Sequence, residues 1–338
     1  MVRYSQLAPL TIDEQIKFAI SAMDFFSVLK NRQYREILNL PVEETIRPLS
    51  FKNFLAYWEK INKVKIDMKQ ARLSELFSVF TSKKLLQEQG VMPGLLPYSQ
   101  CYYNFIELTN IEQKGILFLG KYLGLELISH LIKKNLVHII GENRNGGIVS
   151  GTGILISPKV VLTCAHVISD IHSSLSAEVN AEKYTIEESE IHPHIDFGVI
   201  ILSTPILDIN YDIALRNSTI LEKIIIAGFP KIPRNLNPCI IVQSGEIAGR
   251  INSYGENSHQ IELELFTAVS RPGNSGGPVM SMDGKLLGIV SQSLELNTKD
   301  VEQSTFPCFA AIPADIIMKN YAELKLSSKY QIPWENYQ

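Results

Sequence analysis

Up to about residue 135, apolar positions recur at helical spacing. Thr11 followed by Ile12, Asp13 and Glu14 has the form of a capping box, and Ile16, Ile20, Met23 and Phe26 continue one face. Pro41 and Pro48 punctuate the pattern, and residues 53–65 and 68–89 read as further amphipathic helices. Gly90 and the stretch VMPGLLPYS interrupt them. Leu117, Leu123, Leu127 and Leu131 then carry a last stripe to Asn135. Stripes of this kind predict core packing, not a cofactor site.

From Val137 the texture changes to short β-branched runs: VHIIG, IVSGTGILIS, KVVLTCAHVI, FGVIIL, EKIIIAGFP, CIIVQSGEIAG, QIELELF and KLLGIVSQS. Turn dipeptides such as Ser157-Pro158, Phe229-Pro230, Pro272-Gly273 and Asp283-Gly284 lie between them. Many closely spaced strands predict an all-β barrel or sandwich, not a βαβ sheet. A final helix is expected over residues 314–326, after Pro313, followed by an irregular tail. The expected organisation is a helical regulatory or partner-binding domain (1–135), a β-rich domain (136–326) and a tail (327–338).

Composition narrows the class. The chain has 338 residues, 45% hydrophobic and 20% charged, with 20 Gly and 16 Pro, which is ordinary for a globular protein and excludes collagen, coiled coil and wholesale disorder. A net charge of -3 and a pI near 6.2 leave no basic excess for a nucleic-acid partner. Cys101, Cys164, Cys239 and Cys308 are far apart and form no C-x-x-C pair, so neither a zinc site nor a disulfide framework is expected. That usage suits a reducing compartment. Asp13, Glu14 and Lys17 sit where a signal peptide needs its apolar core. The most apolar long segment, 111–132, carries Glu112, Lys114, Lys121 and Glu126. A soluble chain is expected, cytoplasmic where it is made, with no membrane span.

Three motifs in the β-rich part carry chemistry. Thr163-Cys164-Ala165-His166 ends an apolar strand, Ile195-Asp196-Phe197-Gly198 precedes another, and Pro272-Gly273-Asn274-Ser275-Gly276-Gly277-Pro278 forms a turn. A serine hydroxyl is a poor nucleophile near neutral pH and needs a base. His166 can take its proton and return it to a leaving amine. A carboxylate such as Asp196 would fix the imidazole tautomer. The glycines about Ser275 let the N–H groups of Gly273 and Ser275 face one spot, as an oxyanion hole requires.

TCAH, DFGVIIL and GNSGGP resemble the catalytic motifs of the trypsin-like (chymotrypsin-fold) serine proteases, closer to the HtrA-type bacterial branch than to digestive trypsins. SGTGILIS, EKIIIAGFP, MDGKLLGIVSQS and FAAIP fit the same pattern, over about residues 137–325. The resemblance implies two six-stranded antiparallel barrels with a cleft between them and a C-terminal helix. It implies His166 as general base, Asp196 as its partner and Ser275 as nucleophile, with an oxyanion hole at Gly273, Asn274 and Ser275. Ser291 would brace the aspartate, and Val269, Ser270, Ser291, Gln292 and Ser293 would bind substrate. No cofactor is implied.

The departures are informative. Asn274 stands where trypsins carry the aspartate that receives a cleaved N-terminus, so the IIGEN stretch at Ile139 lacks an ion-pair partner. Cys164 precedes the histidine and has no evident mate, and no PDZ-like segment follows. Thr267, Ala268, Val269 and Ser270 would line the base of the primary pocket without a carboxylate, and Ser293 would narrow its entrance. A small or medium apolar P1 residue is expected.

Other readings use the same residues. Asp208 and Asp212 rival Asp196 but lie in a polar stretch between the barrels. His192-Pro193-His194 could suggest a metal, but reads better as surface loop. His130, His138, His172 and His259 read as structural or solvated. Gly146-Gly147 and Gly151-Thr152-Gly153 lack the lysine and the helix of a phosphate loop, and read as a turn and a strand bend. A peptide-binding scaffold with slight hydrolysis, and an esterase or acyl transferase, remain alternative functions. A regulated bacterial effector delivered into a host cell, or a defence protease, would suit a helical–protease fusion.

Overall fold

The computed structural model describes residues 9–42, 44–63, 70–235, 237–254, 260–294 and 308–335. Two compact units emerge: residues 1–108 with 121–123, and residues 109–120 with 124–338.

The first unit contains α1 (Ile12–Phe25), α2 (Asn31–Ile37), β1 (Leu49–Ser50), α3 (Phe51–Asn62), α4 (Gln70–Ser82), β2 (Gln87–Val91) and β3 (Gln100–Tyr103). Thr11 caps α1 as its sequence predicts: its Oγ1 accepts the Glu14 N–H (3.3 Å) and the Glu14 carboxylate accepts the Thr11 N–H (2.9 Å). The core is aromatic. Phe26, Phe54 and Phe77 are buried, with ring centroids 5.8 Å (Phe26–Phe54) and 5.2 Å (Phe54–Phe77) apart. The helix expected to reach residue 89 ends at Ser82, and β2 and β3 form a sheet with β1 in the order β1-β3-β2.

The second unit begins with irregular chain and short 3-10 turns. The one-turn helix α5 (Gly120–Leu123) is split between the units, and α6 (Leu125–Ile132) follows. Then come β4 (Leu136–Glu142), β5 (Ile148–Leu155), β6 (Val160–Thr163), α7 (Ala165–Ser169), β7 (Ser173–Val179), β8 (Glu182–Tyr184), β9 (Ile186–Ile191) and β10 (Gly198–Leu202). These strands form a seven-stranded antiparallel sheet, ordered β8-β7-β4-β5-β6-β10-β9. The remaining strands are β11 (Lys223–Gly228), β12 (Ile241–Tyr254), β13 (Gln260–Phe266), β14 (Pro278–Ser281), β15 (Leu286–Leu294) and β16 (Cys308–Pro313). They close into a six-stranded barrel, and α8 (Ala314–Tyr321) follows. The second barrel matches the expectation, whereas the first is a curled seven-stranded sheet in which β7, β8 and β9 join the predicted strands. Among the described residues no helix is long and apolar enough to cross a membrane.

The barrel is filled by Ile224, Ile226, Ile247, Phe266, Val279, Leu287 and Val290, and β11 and β14 are buried on their outer faces as well. Residues 109–120 belong to this unit because the Leu117 N–H donates to the buried Asp212 carboxylate (2.6 Å). Chain after α8 belongs to it too: the Leu215 N–H donates to the Pro333 carbonyl (2.8 Å) and the Glu335 N–H to the Leu215 carbonyl (2.9 Å).

Candidate active site

Strand register delivers the first two residues. Gly198 of β10 pairs with Thr163 of β6, so the residues just before β10 and just after β6 leave the sheet at the same end. They carry Asp196 and His166. The His166 Nδ1 lies 2.9 Å from both carboxylate oxygens of Asp196, and the His166 N–H donates to Asp196 Oδ1 (3.0 Å). The Ser291 hydroxyl donates to Asp196 Oδ2 (2.6 Å). Ser291 can do so because the β15–β16 register slips between Val290 and Gln292. A bulge of that kind re-aims a side chain.

Charges follow from these contacts. Burial opposes ionisation of Asp196, but the hydrogen bond and charge of His166, helped by the Ser291 hydroxyl and the His166 N–H, outweigh it and hold its pKa below the ordinary value. Burial also opposes protonation of His166, yet Asp196, with a smaller contribution from Asp170, raises its pKa above the ordinary histidine value.

The turn 271–277 presents Ser275. Gly276 N–H donates to the Val290 carbonyl (2.7 Å) and Val290 N–H to the Gly277 carbonyl (2.8 Å), which seats the turn on β15. The Ser275 hydroxyl donates to the Ser291 carbonyl (3.1 Å). Ser275, Ser291, Asp196 and His166 are thus consecutive members of one hydrogen-bonded set, although the resting hydroxyl faces the strand and not the imidazole. Gly276 has φ +80°, and a Cβ there would lie 2.2 Å from the Thr152 carbonyl oxygen. Gly273 has φ +100°, and its Cβ would lie 2.5 Å from the Phe229 carbonyl oxygen. Asn274, expected among the oxyanion residues, has its N–H taken by the Arg271 carbonyl (2.9 Å) and its Oδ1 buried without a hydrogen bond. No hydrogen bond engages the N–H of Gly273 or Ser275 among the described residues.

Val269 is exposed and Ser270 half-buried, while the side chains of Gln292 and Ser293 and all of His259 lie outside the described residues. Asp208 pairs with Lys134 (2.6 Å) on the surface. Asp212 is buried against Leu117, contrary to the expected polar setting, and burial raises its pKa. Neither contacts His166. His192 is buried, also contrary to expectation: its Nδ1 accepts the N–H groups of His194 (3.2 Å) and Ile195 (3.0 Å), and its Nε2 lies 3.2 Å from Glu323 Oε2. Both nitrogens are therefore engaged, and the metal reading of the His-Pro-His run loses its ligand. Ligand atoms of Cys164, His166 and Asp196 do lie within 4.8 Å of one another. Burial pushes the Cys164 thiol well above its ordinary pKa, and the thiol donates to the Val290 carbonyl (3.2 Å). A neutral, hydrogen-bonded thiol is a poor metal ligand, since the thiolate is the binding form.

Thr152 was not singled out by the sequence as more than a strand residue. Its hydroxyl donates to the Gly273 carbonyl (2.7 Å) and accepts the Phe229 N–H (3.0 Å), fixing the back of the turn that carries Ser275.

The β-rich part of the chain resembles known proteins. Residues 151–289 match the trypsin-like peptidase domain family. Serine protease HTRA1 of Xenopus laevis is 27% identical over 179 residues, covering 52% of this chain and 36% of that protein. A DegP-like periplasmic serine endoprotease of Chlamydia muridarum is 32% identical over 149 residues, covering 42% and 28% respectively. The chain thus spans about a third of the length of these curated relatives. Among solved structures, the active form of the Rv3671c protease of M. tuberculosis superposes with a TM-score of 0.47 at 18% identity, covering 59% of this chain and 84% of that one. Residues 151–289 are thus similar to trypsin-like peptidase domains, and the β-rich part of the chain is similar to the HtrA serine proteases.

Proposed function

We propose that the protein is a serine endopeptidase acting through an acyl-enzyme. The observation that carries this reading is the Asp196 carboxylate shared by the His166 ring, the His166 N–H and the Ser291 hydroxyl, with Ser275 bonded to the carbonyl of that same Ser291. Rotation about the Ser275 Cα–Cβ bond turns the hydroxyl toward His166. Its oxygen then attacks the scissile carbonyl carbon while its proton passes to His166 Nε2. The carbonyl oxygen gains the negative charge, for which the N–H groups of Gly273 and Ser275 are the available donors. Collapse expels the amine, which takes the proton from His166. Water repeats the sequence to free the acid and regenerate Ser275.

A fluorophosphonate probe on the full chain tests the assignment. Covalent labelling at Ser275, absent in Ser275→Ala, is expected; failure of folded wild type to react would sink the nucleophile assignment, leaving the peptide-binding scaffold.

A small or medium apolar P1 residue fits Thr267, Ala268, Val269 and Ser270, which bring no carboxylate. A peptide library is expected to show cleavage after Ala, Val or Leu. Dominant cleavage after Arg, Lys or Asp would overturn it. The helical unit regulates or targets the protease, in a cytoplasmic bacterial effector or defence protein.

A further inference from the structure

Asp196 is held from behind by a residue outside the catalytic set. We infer that His192, tied to Glu323 beyond α8, is a positioning residue for Asp196; the inference rests on reading Asp196 as the partner of His166.

His192 follows the last residue of β9, and Asp196 lies in the loop between it and β10. One imidazole gathers both neighbours of Asp196. Nδ1 accepts the Ile195 N–H (3.0 Å) and the His194 N–H (3.2 Å), while the ring stacks on the Phe197 ring at 5.1 Å and 21°. The His192 N–H donates to the Phe197 carbonyl (3.0 Å). A loop that must present a carboxylate to three donors is thereby fixed on either side of that carboxylate.

The same contacts settle the tautomer. A nitrogen that accepts two N–H groups carries no proton, so the ring proton sits on Nε2. It donates to Glu323 Oε2 at 3.2 Å. A second tie runs alongside: the Glu190 carboxylate on β9 accepts the N–H groups of Lys325 (3.0 Å) and Leu326 (2.9 Å). The segment 323–326, more than 120 residues away in sequence, thus braces the strand and the loop that set the triad's acid. The Glu323 side chain is 60% exposed, so its removal opens no cavity and tests the brace without touching the core.

The experiment compares full-length wild type, His192→Leu, His192→Asn and Glu323→Ala on a fluorogenic peptide, with melting temperatures. It also follows the downfield proton resonance of His166 Nδ1–H against Asp196. Leucine fills the site but accepts nothing. Asparagine puts Oδ1 where Nδ1 was and restores the acceptor while losing the tie to Glu323. A misplacement on the order of 1 Å can cost about 10²-fold in rate, and His192→Leu is expected to lose kcat on that scale with KM little changed. His192→Asn should recover to about three- to tenfold below wild type, beside Glu323→Ala, since both keep the loop acceptor and lose only the outer tie.

A folded His192→Leu with wild-type kcat, or a His192→Asn no better than it, overturns the inference. If His192→Leu does not fold, Glu323→Ala decides: reduced kcat at unchanged melting temperature supports the brace, and unchanged kcat removes it. If wild type neither hydrolyses peptide nor labels, the protease reading has failed, and the resonance judges the brace alone. Its presence in wild type and His192→Asn and loss from His192→Leu would support positioning; persistence in His192→Leu would refute it.

Discussion

Asp196→Asn is expected to lower kcat by about 10⁴-fold while leaving the fold in place, because it fixes the wrong imidazole tautomer. The His166 N–H donates to Oδ1 at 3.0 Å, so the amide oxygen must occupy that position. The amide nitrogen then takes the place of Oδ2, which accepts the Ser291 hydroxyl and lies 2.9 Å from His166 Nδ1. A donor there forces Nδ1 to accept, the ring proton moves to Nε2, and Nε2 can no longer take the proton of Ser275. The pH profile carries a second signature. Hydrolysis needs neutral His166, and Asp196 raises the His166 pKa, so the acid limb of kcat/KM in wild type should lie above the ordinary histidine value. In Asp196→Asn the residual activity should show that limb at lower pH. Wild-type kcat in the variant, or an acid limb that does not move, would remove Asp196 from its role.

The largest effect on stability is expected away from the site, at Lys285. Its side chain is 1% exposed and pairs with Glu335 at 2.6 Å, and its charge also favours ionisation of the buried Asp212. Removing one partner of a buried pair strands the other charge and costs about 3–5 kcal/mol. For a unit of this size Lys285→Met should therefore lower the melting transition by about 10 °C. Since an apolar pair can replace a buried ion pair at little cost, Lys285→Met with Glu335→Leu should recover most of the loss. Calorimetry that finds the single variant as stable as wild type, or the double variant worse than the single, would refute the account.

The β-branched runs made the closed barrel legible in the sequence, because strands buried on one face must alternate or run apolar. The edges were not. Glu182–Tyr184 and Ile186–Ile191 are largely exposed, so no apolar run marks them. Gln87–Val91 is exposed throughout and continued the preceding helical pattern without a break until Gly90. The motifs named His166, Asp196 and Ser275, but a motif does not state a rotamer, and the resting direction of the Ser275 hydroxyl follows from the position of one carbonyl on β15. Burial of single polar residues was hidden most completely. His192 sits in a His-Pro-His run with the look of a loop, and Lys285 in a tight Asp-Gly-Lys turn. What pairs with them is chain from beyond α8, over a hundred residues away for His192, and no local pattern reports that.

The two β-structures of the second unit differ in closure. A closed barrel has no free strand edge, whereas an open sheet ends in strands that water can strip first. Ser275 is mounted on the closed structure, and Asp196 precedes β10, whose neighbour β9 is an end strand of the open one. Under mild heat or denaturant the segments that carry Asp196 and Ser275 are therefore expected to loosen at different points. The turn that carries Ser275 is then expected to outlast the loop that carries Asp196, with hydrogen exchange in β9 running ahead of exchange in β14 and β15 while most of the molecule is still folded.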